Sequence, residues 1–309
     1  MSGASDRKPH QPLEGEFSIG DVAKATGIGP DTIRAWERKY GRPQPDRLPS
    51  GHRRYSEQDV RWLRRVAEAL ARGHRAGVAV RATESELAEL LREDPAPPDP
   101  EIAGLLDRVR AYRRRELVEY LRGSWQAQEP APLLERVATL ARAVGRAWAD
   151  GTLDVRHEHF VTNVLGDFLR ACRKDFPTQG GEPIVVLATL SGEKHGLGLQ
   201  MAAVVCAWKR FAVRILGTET PVVELVRSAR ELEPAAVAIG VSLASGGVET
   251  DRSLSKLRRG LPDGTALLVG GAGARRGRWG VRGTVYLKTM HDLANWLDGR
   301  RADAGGTES

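Results

Sequence analysis

Cysteine is nearly missing from this chain: Cys172 and Cys206 are the two in 309 residues, both in apolar helical contexts and without CxxC spacing. That scarcity argues against a disulfide framework and predicts buried, reduced thiols in a cytosolic protein. Long hydrophobic runs are missing too. No stretch of 18 apolar residues and no secretory leader is found, so neither a membrane-spanning nor a secreted chain is expected. Acidic residues are in deficit, 40 against 47 Lys plus Arg, for a net charge of +7. Residues 16–85 hold 14 of the basic and 9 of the acidic residues, so most of the excess is local. A local positive excess points to a polyanionic partner, nucleic acid first. The length suffices for two or three domains with cores of their own.

Residues 1–15 are polar with Pro and Gly and predict a disordered lead. The pattern tightens at Phe17. Ser18-Ile-Gly-Asp-Val-Ala-Lys-Ala-Thr-Gly27 predicts a short capped helix stopped by glycine. Pro30-Asp-Thr-Ile-Arg-Ala-Trp-Glu-Arg-Lys-Tyr40 predicts a second helix, with Ile33, Trp36 and Tyr40 on its apolar side and Arg34 and Arg38 sharing another face. Arg47-Leu-Pro-Ser-Gly-His-Arg-Arg-Tyr55 reads as a β-hairpin wing, whose His52, Arg53, Arg54 and Tyr55 suit phosphate and minor-groove contact. An amphipathic helix from Ser56 to Gly73 opens with a Ser-x-x-Asp cap.

Three signatures, Phe17-Ser-Ile-Gly-Asp-Val-Ala, Thr32-Ile-Arg-Ala-Trp-Glu37 and Gly51-His-Arg-Arg-Tyr55, closely resemble the DNA-binding domain of the MerR family of transcription regulators. The resemblance covers residues 16–85. It implies a dimer on a pseudo-palindromic, double-stranded operator, contacted by Arg34, Arg38 and Tyr40 of the recognition helix and by Arg53, Arg54 and Tyr55 of the wing. Metal-sensing members usually continue into a long coiled coil with cysteine ligands, and this chain does not. It continues instead into a helix over Glu84 to Glu93 and the stiff linker Asp94-Pro-Ala-Pro-Pro-Asp-Pro100, so 86–100 is expected to separate the head from the rest.

Residues 101–178 read as a helical bundle, with helices over Ile102–Trp125, Pro132–Asp150 and Arg156–Phe176. The turn at Gly151 brings Trp148 beside Glu158 and His159, so the three can face one pocket. Taken alone, these residue types fit a core tryptophan and a solvated Glu-His pair better than a shared pocket.

From Pro183 the periodicity alternates between strands (183–190, 212–217, 235–242, 265–270, 283–287) and helices (Gly196–Phe211, Pro221–Leu232, Thr250–Gly260, Met290–Gly299). Five βα units over 182–299 predict a doubly wound, flavodoxin- or Rossmann-like parallel sheet, with 300–309 a polar tail. The fold class is thus multidomain α and α/β: winged helix-turn-helix, four-helix-type bundle, doubly wound sheet. Three loops that follow strand ends carry the chemistry. The first, Ser191-Gly-Glu-Lys-His-Gly-Leu-Gly198, lacks the GxGxxG of a dinucleotide site. It places Ser191 near His195 but supplies no third partner for a hydrolase. A metal-centred ligand fits better, because imidazole ligates transition metals and a carboxylate on its other nitrogen fixes the tautomer.

Glu193-Lys-His-Gly-Leu-Gly198, Ser242 and Gly270-Gly271 resemble the cobalamin-binding domain, with Glu193 where that family more often has Asp. The resemblance implies His195 as the lower axial cobalt ligand, and a cleft lined by Gly198, Ser242, Gly270 and Gly271 that buries the displaced base. Trp148-x9-Glu158-His159 resembles the cap of the CarH and LitR group, MerR-type light-responsive repressors that bind adenosylcobalamin, where it covers the upper face. That resemblance spans nearly the whole chain. It implies a cytoplasmic regulator, dark tetramers on DNA, and dissociation after light breaks the cobalt–carbon bond. One position departs: the histidine that follows the cap tryptophan in that group is Ala149 here, and alanine cannot ligate cobalt. A regulator that senses cobalamin without lasting light adaptation, or one whose cap takes another ligand, remains open. So do a corrinoid carrier or methyltransferase component, and a regulator that uses its sheet only to oligomerise. The His52-Arg-Arg-Tyr wing speaks against a carrier. No turnover substrate is implied.

Overall fold

The head begins with two capped helices. In the computed structural model, which describes residues 17–48, 50–71, 74–91, 100–242, 245, 248–274 and 281–305, Ser18 and Asp21 form a capping box on α1 (Ile19–Thr26), and Gly27 closes it in the left-handed region at φ 69°. Pro30 opens α2 (Pro30–Tyr40), which Gly41 ends at φ 68°. A two-residue hairpin follows, β1 (Asp46–Arg47) against β2 (Arg53–Arg54). Next come α3 (Glu57–Ala71), which Ser56 and Asp59 cap as expected, α4 (Ala76–Ala79) and α5 (Glu84–Leu90). Val22, Ile33, Trp36, Tyr55, Leu63, Val66 and Leu87 share one core. Leu87 is fully buried there, so the packed head runs past residue 85 and α5 belongs to it.

The chain divides into two compact units, Met1–Arg92 and Glu93–Ser309. The expected lead at 1–15, the Pro-rich linker over 94–99 and the tail residues 306–309 lie outside the described residues. In the second unit, α6 (Pro100–Arg110), α7 (Arg114–Arg122), α8 (Ala131–Ala149) and α9 (Val155–Arg173) form the bundle. The single helix expected over Ile102–Trp125 is two. Tyr112 takes φ 53°, which breaks the helix and brings its ring to 5.1 Å from both His157 and Phe160. The apolar spacing runs on through the break, so periodicity alone does not reveal it.

The sheet alternates β3 (Ile184–Leu190), α10 (Leu197–Trp208), β4 (Ala212–Thr220), α11 (Val222–Leu232), β5 (Ala236–Gly240), α12 (Val248–Gly260), β6 (Ala266–Gly270), β7 (Thr284–Leu287) and α13 (Met290–Gly305). The five parallel strands lie in the order β4-β3-β5-β6-β7. That is the flavodoxin-like order, whose switch point between β3 and β5 places ligands at the carboxyl ends of those strands. The last helix continues to Gly305 where a polar tail was expected from residue 300. Side chains alternate across the sheet with period two: Val185 and Leu187 face one core, Val186, Ala188 and Leu190 the other. The first of these cores is continuous with the bundle interior, joining Leu105, Leu117, Leu140 and Leu165 to Leu199, Val204 and Leu268. Bundle and sheet therefore bury one interior together. Cys172 and Cys206 lie in it as free thiols, each pushed up to about 12 chiefly by burial.

Candidate functional site

The loop after β3 is built around one carboxylate. Gly192 turns the chain at φ 86°, and Glu193 folds inward to 3% exposure. Its Oε1 accepts from the His195 backbone N–H at 2.8 Å and pairs with His195 Nδ1 at 2.7 Å. Its Oε2 accepts from the Ser242 N–H at 2.7 Å and from the Ser245 hydroxyl. One side chain thus bridges the loops after β3 and β5, across the switch point. Burial alone would raise the Glu193 carboxyl, but the hydrogen bonds from His195, Ser242 and Ser245 outweigh it and hold it down to about 2. The loop is also tied to β4: Thr189 Oγ1 donates to Glu193 O at 2.6 Å and accepts from Glu219 N at 3.0 Å.

A carboxylate acceptor fixes Nδ1 of His195 as the protonated nitrogen and leaves the Nε2 lone pair on a side chain that is 64% exposed. The hydrogen bond to Glu193 raises the His195 pKa, against a lowering by burial, with further support from the charges of Glu193 and Glu158. Among the described residues no group of three or more His, Cys, Asp or Glu could hold a metal ion. A metal on the single His195 imidazole must therefore bring most of its ligands with it, as a macrocycle does.

Glycines stand at the strand ends next to this loop, and Gly240 is already covered, since its Cβ would meet Leu199 Cδ2 at 3.3 Å. Register pairs Thr189 with Gly240, Gly240 with Gly270, and Gly270 with Leu287, a row at the carboxyl ends of four strands. A Cβ on Gly198 would meet nothing within 4 Å, and one on Gly270 nothing nearer than 3.9 Å. Gly271 differs: at φ 103° its Cβ would lie 2.3 Å from Val241 O, so this glycine packs the β6 loop on the end of β5. Gly270 and Gly198 leave room for a ligand, whereas Gly271 closes the scaffold beneath it.

On the bundle, Trp148 is half-buried at the end of α8, and Asp154 caps α9. Glu158 Oε2 pairs with His159 Nδ1 at 2.7 Å, Oε1 accepts from Thr162 at 2.8 Å, and its charge reaches His195. His157 is spent on structure: its ring is buried and its Nδ1 accepts from Asp154 N at 3.0 Å.

In the head, Arg38, Arg47 and His52 are exposed, and Arg54 is partly so. Arg34 pairs with Asp31 at 2.8 Å. Tyr40 is half-buried under Arg81, 5.3 Å from its ring. The expectation for Tyr55 is corrected. It is fully buried, with its hydroxyl donating to Glu37 Oε1 at 2.6 Å, because its ring fills the space between wing and α2. It cannot offer a face to DNA. Arg53 donates from Nε to the other Glu37 oxygen at 2.7 Å and keeps its terminal nitrogens.

Residues 17–86 match the MerR HTH family regulatory protein model and residues 183–286 the B12 binding domain model. The HTH-type transcriptional repressor CarH of Myxococcus xanthus is 31% identical over 280 residues, 85% of this chain and 91% of that protein. The chain belongs to the CarH family of MerR-type regulators with a B12-binding domain. A second relative, the HTH-type transcriptional repressor CarA of the same organism, is 28% identical over 92% of this chain and 97% of its own. The Methanosarcina barkeri monomethylamine corrinoid protein shares the fold at TM-score 0.50 and 12% identity, over 62% of this chain and 95% of that one. The residues present fit the group this family implies. A lone oriented imidazole, glycines at the strand ends and an open Gly198 suit a cobalt macrocycle that brings most of its own donors.

Three residues of the site escaped the sequence reading: Ser245, Thr189 and Glu37. Ser245 lies three residues past Ser242, and Glu37 ends the Thr32–Glu37 signature. Thr189, a hydroxyl inside an apolar strand, gave only the signal of a buried polar group that must find a partner.

Proposed function

We propose that this protein represses transcription from operator DNA under the control of cobalamin, adenosylcobalamin in its resting form, by changing its oligomeric state in the cytoplasm. The observation that carries this reading is the Glu193-locked His195, presenting Nε2 beside the glycines that end β5 and β6. His195 would hold the cobalt from below, with Ser242, Gly270 and Gly198 along the buried tail and Trp148, Glu158 and His159 above. When bound, adenosylcobalamin supplies a cobalt–carbon bond that light can break. Glu193 keeps the imidazole oriented through its backbone donors, and the bundle excludes water from the upper face. Ala149 carries no donor atom on its side chain, so the residue that follows Trp148 would not help to hold cobalt. Arg34, Arg38, Tyr40, His52, Arg53 and Arg54 would contact the operator. Several heads on adjacent sites would raise occupancy roughly 10²–10⁴-fold, which makes assembly an effective switch. No turnover reaction is involved.

The test is the visible spectrum of the full chain with adenosylcobalamin, in the dark and after green light, followed by size-exclusion chromatography. The expected result is a coloured protein fraction, larger in the dark than after light. Colourless protein fractions would overturn the sensor reading, and a coloured protein of constant size would overturn the oligomer switch.

A further inference from the structure

The recognition helix and the wing are joined by one acidic side chain that faces the surface assigned to a polyanion. Glu37 sits on α2 between Arg34 and Arg38, and its side chain is 11% exposed. Both of its oxygens are taken, Oε2 by Arg53 Nε at 2.7 Å and Oε1 by the Tyr55 hydroxyl at 2.6 Å. The base of the wing is fixed separately by backbone: Phe17 and Tyr55 exchange two N–H···O bonds of 2.9 Å. Backbone pairing therefore places Tyr55, while Glu37 sets the direction of the neighbouring Arg53 side chain.

An unpartnered carboxylate on this face would repel phosphate. Two donors on a nearly buried Glu37 neutralise that cost, and they leave the guanidinium with a fixed plane. A guanidinium bound through Nε presents both terminal nitrogens on its far edge, the arrangement that grips a phosphate in two places. We propose that Glu37 is a positioning residue for DNA binding: it locks the wing Arg53 so that its free edge meets the operator backbone. The inference rests on the DNA-facing assignment of Arg53.

The experiment reads operator affinity and its salt dependence for the full chain, on a duplex selected from a random-sequence pool by the wild-type protein. Glu37→Gln can still accept from Tyr55 but turns a donor towards Arg53 Nε. Simple charge bookkeeping predicts that losing a negative charge tightens binding and steepens the salt slope. Positioning predicts the reverse: affinity weaker by roughly tenfold and a slope shallower by about one phosphate contact. Affinity equal to or tighter than wild type would overturn the inference. Arg53→Lys keeps the charge but gives an ammonium that cannot span both partners, and it should lose the same contact; an unchanged slope there would also overturn the inference, whether or not Glu37→Gln folds. The double variant should bind no worse than Arg53→Lys alone, whereas additive losses would mean that Glu37 acts elsewhere. Arg53→Gln separates the two layers. If it leaves affinity unchanged, the assignment of Arg53 to DNA fails. If it weakens binding while Glu37→Gln does not, the positioning role alone fails.

Discussion

Glu37 in the head and Glu193 in the sheet are both nearly buried carboxylates that aim a basic side chain outward, and they are held by different means. Glu193 is caught by two backbone N–H groups and the Ser245 hydroxyl as well as by the imidazole it orients. Glu37 is held by two side chains, Arg53 and Tyr55. A carboxylate fixed by backbone stays in place when its outward partner changes. His195 can thus offer its far nitrogen to a metal while the loop keeps its shape. A carboxylate fixed by side chains depends on every one of them, so Glu37 keeps its orientation only while Arg53 and Tyr55 are both present, even though backbone pairing with Phe17 still holds the base of the wing.

The largest test of this contrast is His195→Ala. Cobalamin should be lost from the protein on gel filtration, or retained with its own base on the cobalt, while the fold persists because three donors still hold Glu193. An unchanged cobalamin spectrum would remove His195 from the site.

Glu193→Gln comes next, and it reads the scaffold itself. With the folded carboxyl near 2 against an ordinary value of 4.5, the wild-type contribution is fully present above pH 4.5. It is lost as the pH falls towards 2. Its size is roughly 3 kcal/mol. Urea midpoints at pH 7, 4 and 3 should fall in the wild type and fall less in the glutamine variant, with cobalamin affinity weakened roughly 10- to 100-fold at neutral pH. Equal pH slopes would break the argument.

Tyr55→Phe should cost the head about 1–3 kcal/mol, since it strips a buried acceptor of its donor, and should leave cobalamin binding untouched. A matched loss of cobalamin binding would contradict the independence of the two carboxylates. The smallest effect is expected from Arg34→Ala, a half-exposed side chain already paired with Asp31. Operator binding should weaken several-fold, with the cofactor spectrum unchanged.

The sequence reading named residues for both candidate sites and left their depth unread. Strand ends and the three loops follow from apolar runs interrupted by glycine, signals written locally. The Glu193–His195 pair is likewise local, two residues apart. What could not be read were contacts across the sheet or across the head. Ser245 reaches Glu193 over a separation of 52 residues, and Tyr55 reaches Glu37 over 18. Tyr55 shows the limit plainly: an aromatic after three basic or imidazole residues reads as part of the contact surface, and only the fold shows that its ring points inward. The break at Tyr112 was hidden for the opposite reason, because the apolar spacing continues through it. The shared interior of bundle and sheet was hidden because each segment carries a periodicity that would also suit a separate core.

That shared interior has a mechanical consequence. α9 carries Glu158 and His159 in its first turns, and its buried side chains run on through Val164, Leu165 and Leu169 to Cys172 in the core joined to α10. It is embedded along its whole length, because its first turn is also held, by buried Leu153 and His157 and by the Tyr112 ring 5.1 Å from His157 and Phe160. A push on Glu158 or His159 would therefore be felt by packed side chains all the way to Cys172, with no loose end to absorb it.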